Sequence, residues 1–338
     1  MHKEPIILAI ESSCDDTSAA IIKGKKILSN EIANQEIHSI YGGVVPELAS
    51  RAHQQNIIPV VDTAIKKAEI KKEDINAIAY TKGPGLLGSL LVGGSFAKSF
   101  AMGMKIPLIS VNHMKAHILC HFIDEGKKVP KFPFLCLTVS GGHTQIVKIE
   151  SYNKMEVIGT TIDDAAGEAF DKSAKILNLE YPGGPLIDKY AQNGNIKAFS
   201  FGKPKVKNLD FSFSGLKTSI LYKIQKNLHE NPRFIEENLE DLCASIQFSI
   251  IDVLIKKIKK AIEETGIKEI AIAGGVSANS FLRSELYKLS KDKKFNLYIP
   301  KFEYCTDNAA MIAISGYFKY LEKDFTNQRD QSSASLSF

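Results

Sequence analysis

The chain has 338 residues, of which 44% are hydrophobic and 24% charged, the composition of a globular protein with room for two cores of about 150 residues each. It contains no run of about 18 apolar residues and no recognisable secretory signal, so we expect a cytoplasmic protein that does not cross a membrane. Five scattered cysteines without a CxxC pair argue against a zinc ribbon or a disulfide framework, and the net charge of +5 permits a polyanionic partner without requiring one.

The first third of the chain predicts a three-strand meander followed by α/β units. We expect strands over 6–13, 17–23 and 25–33, separated by the turn-rich segments CDDT and GK. Apolar residues at helical spacing then predict a helix over 47–69, which Pro59 should kink or interrupt. Residues 75–103 predict a strand, a Gly-rich turn and a helix, and a further strand follows over 106–112.

Next comes the stretch VNHMKAHILCH, which places His113, His117 and His121 at steps of four. In a helix, side chains four residues apart project from one face, so His113 and His117 would lie close enough to share a metal ion. A polar stripe without a metal gives the same spacing. The spacing alone leaves both interpretations open.

Near Phe134 the order of elements begins again. Strands are predicted over 134–142, 143–151 and 154–161, a helix over 165–179, and a strand, Gly turn and helix over 269–289. The chain thus predicts two copies of one α/β plan, offset by about 130 residues. A helix over 306–321 is expected to return to the first domain, and the polar residues 331–338 are expected to fray.

This duplicated plan is that of the actin, hexokinase and Hsp70 superfamily, in which two similar domains flank a nucleotide-binding cleft. We therefore expect an N-terminal domain formed by 1–130 and 306–330, a C-terminal domain formed by 131–305, and a polar tail over 331–338. Backbone N–H groups of the turns SSCDDTS and SGGHT would wrap a nucleotide's phosphates, and AGGVSAN would lie against the adenosine.

Specific strings along nearly the whole chain resemble the motifs of the bacterial TsaD family. In order these are IESSCDDTS, GGVVPELASRAH, KGPGLLGSL, VNHMKAH, VSGGHT, GEAFDKSAK, YPGGP, FSFSGLKT, GGVSAN and YCTDNAAMIA. The resemblance implies an enzyme that transfers the threonylcarbamoyl group of threonylcarbamoyl-adenylate to the exocyclic amine of adenosine 37 in tRNAs reading codons that begin with A. AMP is the leaving group.

The resemblance also implies one divalent metal per chain, with His113, His117 and Asp307 as ligands. Two imidazoles and one carboxylate leave coordination positions open and suit Fe(2+), our first expectation, or Zn(2+). His121 would lie about 12 Å from His113 along a helix, too far to share one ion comfortably, so we expect a structural role for it.

The substrate contacts that the resemblance implies are nine residues: Val139, Ser140, Gly141, Gly142, His143, Asp171, Gly184, Asp188 and Asn279. Amides and a hydroxyl suit phosphate and acyl oxygens, and carboxylates suit ribose hydroxyls. For Asp171, a surface carboxylate on an amphipathic helix is the alternative. Glu11, Asp15 and Asp16 are candidates for groups that support the metal or face the phosphates, and their spacing does not select among them.

Partners follow from the same resemblance. Besides tRNA, we expect a TsaB-like paralogue and a TsaE-like ATPase, neither of which is in this chain. The identity of the general base, the physiological metal and the lysines that touch tRNA stay open.

Three other functions compete for the same features. A zinc peptidase would need HExxH, but Met114 stands where its Glu should be. A small-molecule kinase or an ATP-driven chaperone fits the fold but gives HxxxH no role. A nonhaem iron oxygenase would place two histidines and a carboxylate in a β-barrel, which the sequence does not predict.

Overall fold

The computed structural model describes residues 4–202 and 206–338, and the chain divides into two compact units. Unit 1 comprises Met1–Val129 and Pro300–Phe338, and unit 2 comprises Pro130–Ile299. Within the described ranges, no helix is long and apolar enough to cross a membrane.

Both units are α/β. The strands are β1 (Ile6–Glu11), β2 (Thr17–Lys23), β3 (Lys26–Ala33), β4 (Ala77–Gly83), β5 (Leu108–Asn112), β6 (Phe134–Val139), β7 (Thr144–Ile149), β8 (Met155–Thr160), β9 (Glu269–Ala273) and β10 (Asn296–Tyr298). The helices are α1 (Pro46–Lys67), α2 (Leu87–Met104), α3 (His113–Leu119), α4 (Ala166–Ile176), α5 (Gly183–Ala191), α6 (Ser214–Glu230), α7 (Phe234–Thr265), α8 (Ser280–Lys293) and α9 (Ala309–Leu321).

The sheet of unit 1 has the order β3-β2-β1-β4-β5. Strands β1 to β3 are antiparallel, and β4 and β5 run parallel to β1. All six residues of β1 are buried, because helices α1, α2 and α9 pack on this sheet. Such continuous burial is typical of a central strand in an α/β protein.

Unit 2 repeats this arrangement with the order β8-β7-β6-β9-β10. Its meander is antiparallel, and β9 and β10 continue the sheet in parallel. The predicted α/β plan of two similar domains is confirmed. Helices α5, α6 and α7 lie in a part of the chain for which the sequence pattern predicted no elements.

Helix α1 runs from Pro46 to Lys67 without interruption, although Pro59 lies inside it. Proline removes one backbone donor and leaves the carbonyl four residues earlier without its helical partner. That residue, Gln55, is exposed, as is Pro59, so water can take the place of the missing donor. The expectation that Pro59 interrupts the helix was wrong because its position faces solvent.

The C-terminal residues, which were expected to fray, instead dock on unit 1. The backbone N–H of Ser333 donates to the carbonyl of Lys82 at 2.9 Å, and that of Gly85 donates to the carbonyl of Ala334 at 3.1 Å. The side chain of Asp330 accepts from Lys82 at 2.5 Å, and only 19% of the Asp330 side chain is exposed. These backbone bonds and the shielded ion pair outweigh the polar composition that suggested fraying.

We expect Asp330→Asn to lower the free energy of unfolding by about 1 to 3 kcal/mol at neutral pH, because the substitution removes the charged acceptor of a shielded hydrogen bond. Asp324→Asn is the control, since Asp324 pairs with Lys319 at 2.8 Å on the surface and should cost at most about 0.5 kcal/mol. Urea unfolding of both variants measures the difference.

The effect of Asp330→Asn should depend on pH. Burial by itself raises the pKa of Asp330, but hydrogen bonds from Lys82 and Thr326 and the charge of Lys82 outweigh burial and lower that pKa below its usual value. A lowered pKa stabilises the fold above the unfolded-state value, and this stabilisation is lost as the pH falls through the folded-state value. The difference between wild type and variant should therefore narrow in acid. A difference that stays constant down to about pH 2 would contradict this account of the pair.

Candidate active site

Strand β5 and helix α3 place the two candidate histidine ligands. The side chain of Asn112, the last residue of β5, accepts from the backbone N–H of Lys115 and caps the helix. His113 and His117 then lie one turn apart with ring centroids 4.7 Å from each other. Both are buried, at 8% and 1% exposure.

Asp307 reaches the same place from the other end of unit 1. It precedes α9, whose first turn is capped by the side chain of the buried Asn308. The N–H of Ala309 donates to the hydroxyl of Ser18 at 2.8 Å, which fixes the start of α9 against β2. The Asp307 Oδ1 atom lies 3.2 Å from His117 Nε2 and 3.4 Å from His113 Nε2.

These distances fit a metal-binding group. Two ligand atoms about 2.1 Å from one ion at a tetrahedral angle are about 3.4 Å apart, close to both separations. The three ligand atoms lie within 4.8 Å of one another. The Asp307 side chain is 26% exposed, so solvent or a ligand can approach the group from its side.

The carboxylates control the charge of this group. Burial lowers the pKa of His113, but the charges of Asp307 and Glu11 outweigh burial and hold that pKa well above its usual value. Conversely, burial raises the pKa of Asp307, whereas His113 and His117 lower it strongly in sum. Asp307 and Glu11 therefore favour positive charge at this group of side chains.

His121 does not join the group. Helix α3 ends at Leu119, and a short 3-10 turn over Cys120–Phe122 carries His121. Its expected structural role, apart from the candidate ligands, stays a prediction.

The acids of the first turn separate into two kinds. Glu11, fully buried at the end of β1, accepts from His113 Nδ1 at 3.2 Å. For Asp16, burial and the charges of Asp15, Asp307 and Glu11 raise the pKa to about 7. The phosphate contact expected of SSCDDTS stays a prediction.

In unit 2, the turn between β6 and β7 has different chemistry. The Ser140 N–H donates to the carbonyl of His143 at 2.8 Å, and the His143 N–H donates to Ser140 Oγ at 3.1 Å. Gly141 and Gly142 at the tip are exposed, with open space where a side chain would stand. The two glycine amides are the part of this turn that can receive an anion.

Two further glycines let other motifs approach that turn. A Cβ on Gly167, in α4, would lie 2.6 Å from the carbonyl oxygen of Ser140. Gly274, with φ at +87°, would place a Cβ 2.4 Å from the carbonyl oxygen of Val139. The motifs VSGGHT, GEAFDKSAK and GGVSAN therefore meet, and only glycine fits at both contacts.

The remaining predicted substrate residues each have an intramolecular partner. Asp171 Oδ1 accepts from the amides of Gly183 and Gly184, at 2.9 and 3.3 Å. Both oxygens of Asp188 accept from Ser280, one from its N–H at 3.0 Å and one from its hydroxyl at 2.7 Å. These bonds position α5 and the start of α8, so the carboxylates have structural roles of their own.

Asn279 caps α8 by accepting from the N–H of Leu282 at 2.9 Å, and its amide group donates to Gln247 at 2.6 Å. Gln247 is buried in α7. It was missed by the sequence analysis because one polar residue in a long amphipathic segment carries no local signal. A contact across 32 residues is visible only in the fold.

Comparisons with known proteins agree with these motifs. The family profile described as TsaD: tRNA N6-adenosine threonylcarbamoyltransferase matches residues 26–314. Curated proteins named tRNA N6-adenosine threonylcarbamoyltransferase include one from Christiangramia forsetii, 65% identical over 95% of each chain, and one from Riemerella anatipestifer, 64% identical over 96% of each chain.

Similar solved structures have much lower sequence identity. HypF of T. kodakarensis matches with a TM-score of 0.61 at 13% identity, over 95% of this chain and 48% of that chain. Component A of (R)-2-hydroxyglutaryl-CoA dehydratase from Acidaminococcus fermentans matches with a TM-score of 0.52 at 15% identity, over 94% of this chain and 99% of that chain. These likenesses show a shared fold.

We expect His113→Ala and His117→Ala each to lower the affinity for Zn2+ more than 100-fold, because each would remove a candidate ligand. Loss of a hydrogen bond that only supports a ligand costs roughly 10- to 100-fold. His121→Ala is the matched control and should bind as wild type. Calorimetric titration of metal-free protein measures all three. Equal loss of affinity in His121→Ala would contradict the assignment.

Proposed function

The chain belongs to the TsaD family of tRNA N6-adenosine threonylcarbamoyltransferases, and from this membership we propose how its residues take part in the reaction. It is a transferase that modifies tRNA. The donor we propose is threonylcarbamoyl-adenylate, and the acceptor is the exocyclic amine of adenosine 37 in tRNAs that read codons beginning with A. The amine forms a C–N bond to the carbamoyl carbon, the bond from that carbon to the phosphate oxygen breaks, and AMP leaves.

The observation that carries the proposal is the group of His113, His117 and Asp307 in unit 1. We assign to it one divalent ion, Fe(2+) in the first place and Zn(2+) as the alternative, since imidazole suits both ions. When bound, the ion supplies Lewis-acid stabilisation of the negative charge that grows on an oxygen during attack by the amine. His113, His117 and Asp307 would hold the ion, and the Asp307 side chain is the most exposed of the three.

The proposed role of unit 2 is to hold the adenylate. The amides of Gly141 and Gly142, both exposed residues, would donate to phosphate oxygens, with Val139, Ser140 and His143 shaping the turn. Asp171 has a second carboxylate oxygen beyond the one that binds the glycine amides, and it can accept from a ribose hydroxyl. Asp188 has lone pairs left with which it can also accept from a ribose hydroxyl. Asn279 and Gly184 help to hold the starts of α8 and α5 in place.

We propose further that the protein acts in the cytoplasm on tRNA together with a TsaB-like paralogue and a TsaE-like ATPase. Exposed apolar side chains on two helices of unit 1 support a protein partner. Ile58 in α1 is 66% exposed, Leu87 and Leu91 in α2 are each 50% exposed, and Met102 is 68% exposed. Clusters of exposed apolar residues commonly mark protein interfaces.

We expect Asp307→Asn to reduce transfer on the order of a hundredfold or more at saturating metal, because it removes a charged ligand and alters the electrostatics at the reacting oxygen. The melting temperature of the metal-free protein should fall, because Asn lacks the charge that pairs with the buried histidines, so transfer is measured at a temperature at which the variant is folded. If the ion only stabilises the contact between α3 and α9, the opposite result is expected. Folded Asp307→Asn would then transfer the group at the wild-type rate, and metal would no longer stabilise the protein.

Leu91→Asp should abolish stimulation of transfer by the TsaB-like paralogue while leaving the fold intact, because it places a charge on the exposed face of α2. Lys105→Asp, beyond the end of α2, is a charge-changing control. Binding by calorimetry and multiple-turnover transfer in a reconstituted mixture measure the effect. Robust multiple turnover by the isolated chain would contradict the need for partners.

A further inference from the structure

Glu11 is a fully buried carboxylate that contacts one of the two candidate histidine ligands. Its Oε1 atom accepts from the backbone N–H of Ser13 at 2.6 Å. Its Oε2 atom accepts from the hydroxyl of Thr81 at 2.6 Å and lies 3.2 Å from Nδ1 of His113. Three groups from three segments of unit 1 thus converge on one acid.

An ionised carboxylate can only accept hydrogen bonds. An Nδ1 lone pair of His113 facing Glu11 at 3.2 Å would be repelled, so Nδ1 must carry the proton. Ser13 Oγ, 3.1 Å from the same nitrogen, can accept from it as well. In neutral His113 the other nitrogen, Nε2, then has the free lone pair, and Nε2 is the atom that faces Asp307 at 3.4 Å.

The two histidines differ in this support. His117 Nδ1 is buried and, in the described part of the chain, has no hydrogen-bond partner. The carboxylate of Glu11 therefore acts on one ligand of the pair. A carboxylate bonded to the far nitrogen of a histidine fixes the orientation of the ring and raises its basicity toward a metal.

We propose that Glu11 is a positioning residue that holds His113 in the Nδ1–H form and presents Nε2 to the divalent ion. This inference rests on the proposed metal site. The competing role is purely structural, in which Glu11 only satisfies Ser13 and Thr81 and so closes the end of β1.

Glu11→Gln separates the two roles. The Gln amide nitrogen cannot replace Oε1, because it would meet the N–H of Ser13, a fixed donor. It must therefore replace Oε2, where the hydroxyl of Thr81 can rotate to accept from it. The amide group then faces His113 Nδ1 with a donor, and an Nδ1–H group keeps only the neutral Ser13 Oγ as its acceptor. The Nδ1–H form loses its charged partner, which shifts the proton of neutral His113 toward Nε2, the atom needed by the metal.

The control is Thr81→Val. Thr81 is buried like Glu11, at 2% exposure, and its hydroxyl donates to the same oxygen, Oε2. Thr81→Val should lower the free energy of unfolding but leave His113 in the Nδ1–H form, with Nε2 facing the metal site. Glu11→Ala is a second variant for the case in which Glu11→Gln does not fold. Water can enter the space left by the deleted side chain.

The test is titration of the full-length, metal-free protein with Co2+, whose visible spectrum reports the ligands bound to it. We expect Glu11→Gln and Glu11→Ala to bind Co2+ about 10- to 100-fold more weakly than wild type, and Thr81→Val to bind within about threefold of it. Urea unfolding without metal establishes that each variant is folded.

The His113→Ala variant distinguishes failure of the positioning role of Glu11 from failure of the proposed metal site. If it loses Co2+ binding but folded Glu11→Gln and Glu11→Ala bind with wild-type affinity and spectrum, the positioning role is wrong and the metal site stands. If wild type does not bind Co2+, or His113→Ala binds it as wild type does, the proposed metal site and the role of Glu11 are both overturned.

Discussion

The pairing of the Asp307 carboxylate with the two histidines of α3 is the interaction on which the functional end of unit 1 depends. Asp307 lies 190 residues from His117 in sequence and reaches it because α9 packs on the sheet that positions α3. Buried imidazoles and carboxylates are costly to desolvate unless they are paired. This cost explains why the caps of α3 and α9 and the burial of Glu11 all serve to fix the same few atoms.

The two copies of one fold carry opposite chemistry at equivalent turns. The turn after β1 holds Asp15 and Asp16 beside Glu11, and its negative charge suits a cation. The turn after β6 has Gly141 and Gly142 at its tip, whose amides suit an anion. The same strand ends thus occur twice, with different side chains at each.

Much of the fold could be predicted from the sequence because strands and Gly turns recur in the same order in both halves. The candidate ligands His113 and His117 were suggested by local spacing, whereas Asp307 came only from resemblance, since its contacts with them are long-range. The role of Gln247 and the choice of Glu11 over Asp15 or Asp16 require the fold. The docked tail was missed because its backbone bonds to Lys82 and Gly85 leave no pattern in the sequence.

The most direct test of the account is nucleoside analysis of tRNA from a strain depleted of this protein and complemented with wild type or with His113→Ala at equal protein level. The account predicts that depletion removes threonylcarbamoyladenosine, that wild type restores it, and that His113→Ala does not. Undiminished threonylcarbamoyladenosine after depletion would contradict the assigned reaction. Full restoration by His113→Ala would contradict a catalytic role for the metal.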